Sequence, residues 1–140
     1  MKTANKSKLL LIAFGLIAYT SANAATDKPS EIRLHVLECY SEKVMPDNNL
    51  EVTIDQLKKR FEATVTKSTI VGPRKVGKFT VKREQSDALG APTLYIGKNF
   101  KLEIYMVAPV NGGWRAHLLV DRPRGQRISE NMLCLYTRSL

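Results

Sequence analysis

A two-residue alternation of apolar and polar side chains recurs along most of the 140-residue chain. Because successive side chains of a β-strand point to opposite faces, this period predicts strands with one buried face. Gly, Pro, Asn and Asp punctuate the runs, which predicts antiparallel connections, and a slip at Val36-Leu37 predicts a β-bulge. We therefore predict a mainly β fold, namely a single-domain antiparallel β sandwich or small barrel with at most one short helix. The runs are 32–36, 50–54, 78–84, 93–96, 100–108 and 114–121.

The one segment that also fits a helix is 53–62. Thr53 and Gln56 have the spacing of a capping box, which marks helix N-termini. The segment's apolar residues also share one helical face, yet the alternation of its last residues continues as a strand would. We predict a short helix over about 54–62 that leads into a strand. The residues on the helical face are Ile54, Leu57 and Phe61.

The Asn111-Gly112-Gly113 turn predicts a hairpin between the last two long runs. With a three-residue loop, 111–113, the residue numbers of cross-strand partners sum to an even number. The apolar stripes of both arms then lie on the same side of the hairpin. In this register Tyr105 pairs with Leu119 and Val107 with His117 on the reverse face. That face is apolar for a solvated surface, so we expect either the proposed helix or a partner protein to cover it.

The first 24 residues have the pattern of a bacterial signal peptide. A lysine-rich start precedes ten apolar residues, Leu9 to Ala18, and Ala22-Asn23-Ala24 offers a cleavage site. As a helix the apolar run spans about 15 Å, half a bilayer, so no transmembrane anchor is expected in the mature chain. We predict export to the periplasm or the exterior, with residues 25–140 forming a single β-rich domain.

Cys39 and Cys134 are the only cysteines, and export places them where disulfides persist. We predict a structural disulfide between them. The alternative is a catalytic thiol with His35 or His117 as its base. No Cys-x-x-Cys pair or recognisable thiol-enzyme signature supports that alternative.

The sequence contains no motif that specifies a catalytic residue, a cofactor or a metal site. It lacks a serine elbow, a zinc-protease motif, a phosphate-binding glycine loop and a calcium loop. Its two histidines lie in strand patterns, without carboxylates at a ligand spacing. We predict a protein that is not an enzyme. A small hydrolase remains an alternative, because a carboxylate pair can form in the fold from residues distant in sequence.

Basic residues are the strongest functional signal. Removing residues 1–24 takes three of the 22 basic residues and none of the 13 acidic ones, which leaves a mature charge of +6. Most of the basic groups fall at predicted turns and could converge at one end of a sheet. They predict a partner with acidic character. The simpler interpretation is that they solvate loops and protect strand edges. The predicted partner-binding residues are Arg74, Lys75, Arg122, Arg124 and Arg127.

We expect that partner to be a protein, with the chain acting as an enzyme inhibitor or an envelope adaptor. The alternative is direct binding of an anionic envelope component, a glycan or a lipid such as lipopolysaccharide. Nucleic acid is disfavoured as a partner because we expect the chain to be exported. It is also disfavoured because Phe100 and Trp114 align with the apolar stripes instead of forming a platform on which bases could stack. The oligomeric state is not predicted.

The positions of Cys39 and Cys134 and the Gly90–Tyr95 stretch before a hairpin broadly resemble bacterial periplasmic lysozyme-inhibitor domains, which are β-barrels. That family's Tyr-x-Cys followed by Gly is replaced here by Leu37-Glu38-Cys39-Tyr40. Its Ser-Gly pair is not matched by the segment 86–90. The resemblance therefore implies a barrel and assigns no functional residue.

Overall fold

The chain folds into a closed antiparallel barrel of eight strands in sequential order, with β8 pairing back onto β1. The computed structural model describes residues 31–137 except 44 and 46, so the predicted signal peptide lies outside the described residues. The prediction of a mainly β small barrel is confirmed. The strands are β1 Leu34–Ser41, β2 Leu50–Leu57, β3 Arg60–Thr69, β4 Gly72–Gln85, β5 Thr93–Gly97, β6 Phe100–Val110, β7 Gly113–Asp121 and β8 Arg127–Tyr136.

The predicted helix over 54–62 is wrong. β2 continues to Leu57, a two-residue turn follows, and β3 begins at Arg60. Pairing with β1 on one side and β3 on the other satisfies the backbone of β2 in full, which outweighs a weak helical period. The bulge predicted at Val36-Leu37 is confirmed, since the β1–β2 register shifts by one residue between His35 and Leu37.

The barrel interior is filled by side chains. Alternate residues of the strands point inward, and most of them are almost fully buried, as expected for a barrel of eight strands. β4 is the exception, since only Val81 is buried there, with Val76 and Phe79 partly buried. The largest of them is Tyr95, whose ring packs edge-on against Phe61, while Phe79 packs against Phe100. The described interior is therefore a packed core, and surfaces available to a ligand lie on the outside or at the two ends.

The predicted three-residue loop and register of the β6–β7 hairpin are wrong. The turn is Asn111-Gly112, both with positive φ (50° and 78°), as in a type I′ turn. The stripes still face the same side, because β6 accommodates three extra residues between Tyr105 and Val110. The reverse face pairs Glu103 with His117 and is polar, so the expected apolar face does not form.

A disulfide between Cys39 and Cys134 joins directly opposed residues of β1 and β8. The predicted bridge is therefore present, at the seam where the last strand meets the first. Both cysteines are fully buried within the core. The catalytic-thiol alternative is wrong, because both cysteines of the chain are consumed in this bond.

Strand direction alternates around the barrel, so connections alternate between its two ends. We call the end with the β1–β2, β3–β4, β5–β6 and β7–β8 connections the upper end. The opposite end, with the β2–β3, β4–β5 and β6–β7 connections, is the lower end. None of the described residues forms a helix with the length and hydropathy needed to cross a bilayer.

Candidate functional site

All five predicted partner-binding residues lie at the upper end and are exposed. Arg74 and Lys75 belong to the start of β4, and Arg122, Arg124 and Arg127 belong to the β7–β8 connection and the start of β8. The topology thus brings them to the same end of the molecule. It does not gather them into one patch, because β4 and β8 lie four strands apart, on opposite sides of the barrel mouth.

The β7–β8 loop has a defined backbone that presents its arginines to solvent. Arg122 N donates to Gln126 O at 2.7 Å, which closes the loop around the 3-10 turn Pro123–Gly125. Arg124, at its apex, has a positive φ of 67°, which a bulky residue rarely adopts. Arg127 Nε donates to Asp121 Oδ1 at 2.7 Å, and this contact raises the pKa of Arg127. No carboxylate of the described residues pairs with Arg122 or Arg124.

The second basic pair lies where the β3–β4 hairpin extends past its neighbour. β5 pairs with β4 only from Val81 to Gln85, so the first half of β4 has β3 on one side alone. Arg74 and Lys75 lie along this free edge, close to the exposed hairpin tip Ile70-Val71. Basic residues, Pro73 and the extra residue at Val76 also protect such an edge from pairing with another chain.

A shallow depression of about 250 Å³ lies beside the arginine loop. Its wall includes Asn99, Lys101, Asp121 and Arg127. Asp121 N donates to Asn99 O at 3.0 Å, which ties the β5–β6 turn to the end of β7. The upper end therefore combines fixed backbone with exposed cations and a small concave surface.

Other basic residues noted in the sequence have different surroundings. The Lys58-Lys59-Arg60 cluster lies at the lower end. Lys78 pairs with Glu62 at 2.8 Å, and Lys101 pairs with Glu103, which raises the pKa of Lys101. These two lysines are partly neutralised within their own sheet, whereas Arg122 and Arg124 are available to a partner.

The outer face of β2 and β3 carries the carboxylate pair that a hydrolase would need. Asp55 and Glu62 are directly opposed and nearly buried. Arg33 Nη1 bridges them, at 3.0 Å from Asp55 Oδ2 and 2.7 Å from Glu62 Oε1. Although burial raises the pKa of Glu62, hydrogen bonds from Lys78 and Arg33 bring it below the ordinary value. Both acids thus serve an ion network, and the lowered pKa of Glu62 is the opposite of what a catalytic acid needs.

His35 extends this network along β1. Its Nδ1 donates to Asp55 Oδ1 at 2.9 Å and its Nε2 to Glu38 Oε1 at 2.7 Å. Because both ring nitrogens donate to carboxylates, the pKa of His35 is raised, mainly by Asp55. Tyr40 donates its hydroxyl to Glu38, which lowers the pKa of that acid and raises the pKa of Tyr40 to about 12. The network attaches Arg33, just before β1, to the barrel wall.

Sequence reasoning missed a groove on the outer face of β7 and β8. Two adjoining depressions of about 410 and 420 Å³ share Glu42, His117 and Asn131. His117 Nδ1 donates to Asn131 Oδ1 at 3.0 Å, and Ser129 Oγ donates to His117 Nε2 at 3.1 Å. This order is that of a nucleophile, its base and an orienting group, here in an open, half-exposed setting. Only the β7–β8 register reveals it, since that register places His117 opposite Asn131 and Leu119 opposite Ser129.

No group of three His, Cys, Asp or Glu side chains within the described part of the chain is arranged to hold a metal ion. Comparisons with protein-family models, curated proteins and solved structures found no match to this chain. The functional interpretation therefore depends on the geometry of these surfaces.

Proposed function

We propose that the chain is an exported, non-enzymatic binding module that engages an acidic protein partner through its basic upper end. The observation that carries this proposal is the exposed β7–β8 loop, where Arg122 and Arg124 have no carboxylate partner among the described residues. A rigid barrel that presents such a loop is a common arrangement for recognition. An enzyme inhibitor and an envelope adaptor are two forms that this function can take.

Electrostatics supports the choice of an acidic partner. The mature chain carries +6, and residues 58–140, which include both upper basic segments, carry +10. Cations on opposite sides of one mouth attract an acidic surface broad enough to reach both, and they raise its association rate. The depression beside Arg127 and the exposed Ile70-Val71 tip supply contacts that charge alone does not.

Export is the second part of the proposal. The signal-peptide pattern of residues 1–24 supports it, and so does the buried Cys39–Cys134 disulfide, since such bonds persist in oxidising compartments. We propose a periplasmic or secreted location on these grounds.

A capture experiment tests the function. Tagged mature protein is incubated with envelope extract, beside the variant Arg122→Ser/Arg124→Ser/Arg127→Ser and a matched control at the lower end, Lys58→Ser/Lys59→Ser/Arg60→Ser. We expect wild type and control to retain the same protein and the arginine variant to lose it. Full capture by the arginine variant, with its melting temperature unchanged, would refute the proposed site.

Ionic strength separates the protein partner from the competing class of ligand. Binding of an anionic glycan or a lipid such as lipopolysaccharide is dominated by charge, so it should weaken steeply between low and physiological salt. A protein interface with an apolar centre should lose mainly association rate and retain most of its residence time. A steep loss of residence time, together with capture of purified lipopolysaccharide, would favour the glycan or lipid alternative.

A further inference from the structure

The groove on the outer face of the barrel has room for an extended ligand. It runs across β6, β7, β8 and the end of β1, where Arg115 lies opposite Tyr105 and His117 lies opposite Asn131. Glu42 N donates to Asn131 O at 2.9 Å, which adds the end of β1 to the row. Three strand spacings of about 4.8 Å make the groove about 14 Å long. Its two depressions, of about 410 and 420 Å³, adjoin along this length.

Polar side chains on the groove floor are held in place by one another. Ser129 Oγ donates to His117 Nε2, and His117 Nδ1 donates to Asn131 Oδ1. These bonds fix the amide of Asn131, whose Nδ2 hydrogens have no acceptor among the described residues. The lone pairs of Ser129 Oγ remain able to accept. Donors and acceptors therefore lie side by side, which suits hydroxyl groups because each hydroxyl both donates and accepts.

The charges that line the groove balance. Its charged residues within the described part of the chain are two acids, Glu42 and Glu130, and two bases, Lys43 and Arg115. His117 is neutral in this arrangement, because its Nε2 accepts a hydrogen from Ser129. An anionic or a cationic ligand would meet a like charge for every opposite one. The groove therefore favours a neutral ligand, unlike the basic upper end.

Arg115 and Glu42 keep hydrogen-bonding capacity for a ligand. Arg115 Nε lies 3.7 Å from Glu42 Oε1, which is too long for a hydrogen bond. Both side chains are also well exposed, at 63% and 43%. The planar guanidinium and carboxylate can each bond two neighbouring groups of a ligand at once.

An aromatic ring forms one wall of the groove. Tyr105 Oη donates to Glu103 Oε2 at 2.9 Å, two residues earlier on the same face of β6. Because such positions are about 7 Å apart, the ring must lie along its strand to reach the carboxylate. Tyr105 remains 40% exposed. A fixed, exposed ring beside polar groups fits a ligand that has both an apolar C–H face and a polar rim.

We propose that this groove binds a neutral saccharide chain, with one sugar ring against Tyr105 and sugar hydroxyls bonded to Asn131, Arg115 and Glu42. A saccharide unites the features that the groove requires, since it is uncharged, its hydroxyls donate and accept, and its C–H faces pack on aromatic rings. A peptide strand fits less well. The strands beneath the groove are hydrogen-bonded to one another and offer it no free backbone edge.

This inference does not depend on the proposed function. None of the five predicted partner-binding residues lines either depression. A chain that fails to bind saccharides can still engage an acidic protein through its upper end, and the reverse also holds. The arginine variant Arg122→Ser/Arg124→Ser/Arg127→Ser should therefore bind saccharides like the wild type.

NMR titration of the mature protein with neutral tetrasaccharides tests the site. The probes are maltotetraose, cellotetraose and tetra-N-acetylchitotetraose, with a sulfated heparin tetrasaccharide as the charged comparison. We expect saturable shifts of the amide signals of residues 115–117 and 129–131 with at least one neutral probe, and an affinity that is the same at low and at physiological salt. The corresponding disaccharide should bind more weakly, because it cannot reach across the groove.

Two variants remove the contacts that the proposal assigns. Tyr105→Ala deletes the ring, and Asn131→Ala deletes the free amide hydrogens. Each should weaken the affinity for the best neutral probe by about tenfold, as for the loss of an aromatic contact or of hydrogen bonds. Tyr105→Phe keeps the ring and should bind nearly as well as the wild type, so it tests the stacking contact even if Tyr105→Ala is unstable.

Tyr40→Ala is the matched control. Tyr40 also donates to an acid two residues earlier, Glu38, and is also 40% exposed, but it lines neither depression. It should bind the probe like the wild type. The proposal would be overturned if no neutral tetrasaccharide shifted the groove signals saturably, or if Tyr40→Ala lost as much affinity as Tyr105→Ala. Tighter binding of the sulfated probe in the groove would also overturn it, and equal affinity of the disaccharide would exclude a chain as the ligand.

Discussion

Among single residues, His35 couples protonation most directly to the fold. It donates to Asp55 and Glu38 through its two ring nitrogens, while Arg33 and Lys78 complete the charge balance around Asp55 and Glu62. Apart from His35–Glu38, which lies within β1, these pairs were not predictable from sequence, because their members are up to 29 residues apart and meet only through strand register. The sequence did show that alternate positions in these strands are polar. The charged groups of the network occupy the outer face that those positions form.

Stability should fall as the pH rises from about 6.5 through the folded-state pKa of His35. The folded-state pKa of His35 lies above its ordinary value of about 6.5, so its stabilisation is complete below that pH and is lost as the pH passes the folded-state pKa. Melting temperatures across this range should show the decline. His35→Gln should flatten it, whereas His117→Gln, the matched control, should retain it. An equal decline in the His35 variant would contradict this account.

Among the strands, β5 is the shortest of the barrel and approaches β4 closely at its end. It ends at Gly97, where an added Cβ would lie 2.4 Å from the backbone oxygen of Thr80 and 3.1 Å from Val81 Cγ1. The close approach of β4 and β5 at this point therefore requires glycine. The sequence predicted the hairpin on either side of Gly97 but not the approach to β4, which depends on how the barrel closes.

Replacing Gly97 with alanine should destabilise the protein by about 1–3 kcal/mol, because a backbone atom cannot move aside as a side chain can. Urea unfolding would measure the loss. Gly77→Ala is a useful comparison, since its Cβ would meet only the ring of Phe79. We expect Gly77→Ala to lower the free energy of unfolding less than Gly97→Ala does. A larger loss in Gly77→Ala would show that the barrel wall at Gly97 can adapt to the added Cβ.

The β7–β8 groove offers a test of the hydrolase alternative. Ser129, His117 and Asn131 are hydrogen-bonded in catalytic order, but on an open surface where water competes for every polar contact. A binding module should therefore show no Ser129-dependent reaction with a fluorophosphonate probe. Labelling that disappears in both Ser129→Ala and His117→Gln, but persists in the control Ser68→Ala, would instead support an enzyme.

The sequence also predicted elements better than their exact pairing. The alternation correctly indicated a mainly β fold, a sandwich or a small barrel, of which the barrel forms, and the bulge beside His35. It misled at 54–62, where helical and strand periods overlap over nine residues and only the neighbouring strands decide between them. The alternation also gave the wrong loop length at the β6–β7 turn. Three extra residues of β6 before Val110 shorten the loop, while the apolar stripes of β6 and β7 still face the same side.

For the barrel as a whole, the disulfide links the two strands that close it. The bridge spans 95 residues of sequence, nearly the whole described fold. Closing a loop of that length in the unfolded chain corresponds to about 4–5 kcal/mol of stabilisation. Because the paired strands are the first and the last, the bond also opposes opening of the barrel at its seam.

Cys39→Ala/Cys134→Ala should therefore lower the free energy of unfolding by about 4–5 kcal/mol, together with a further loss from the buried volume removed. Chemical denaturation of wild type and variant would measure it. Reducing agent should lower the wild-type melting temperature and leave that of the double variant unchanged. A wild type insensitive to reductant would show that the bond does not contribute to stability.

The central claim is that the basic upper end meets an acidic protein outside the cytoplasm. Photo-crosslinking in intact cells tests it most directly, with a crosslinking amino acid placed one at a time at Arg124 in the upper loop, at Lys59 at the lower end, or at Glu130 in the groove. We expect a discrete protein adduct from position 124 and none from position 59. An adduct from position 130 or 59 with none from position 124 would contradict it.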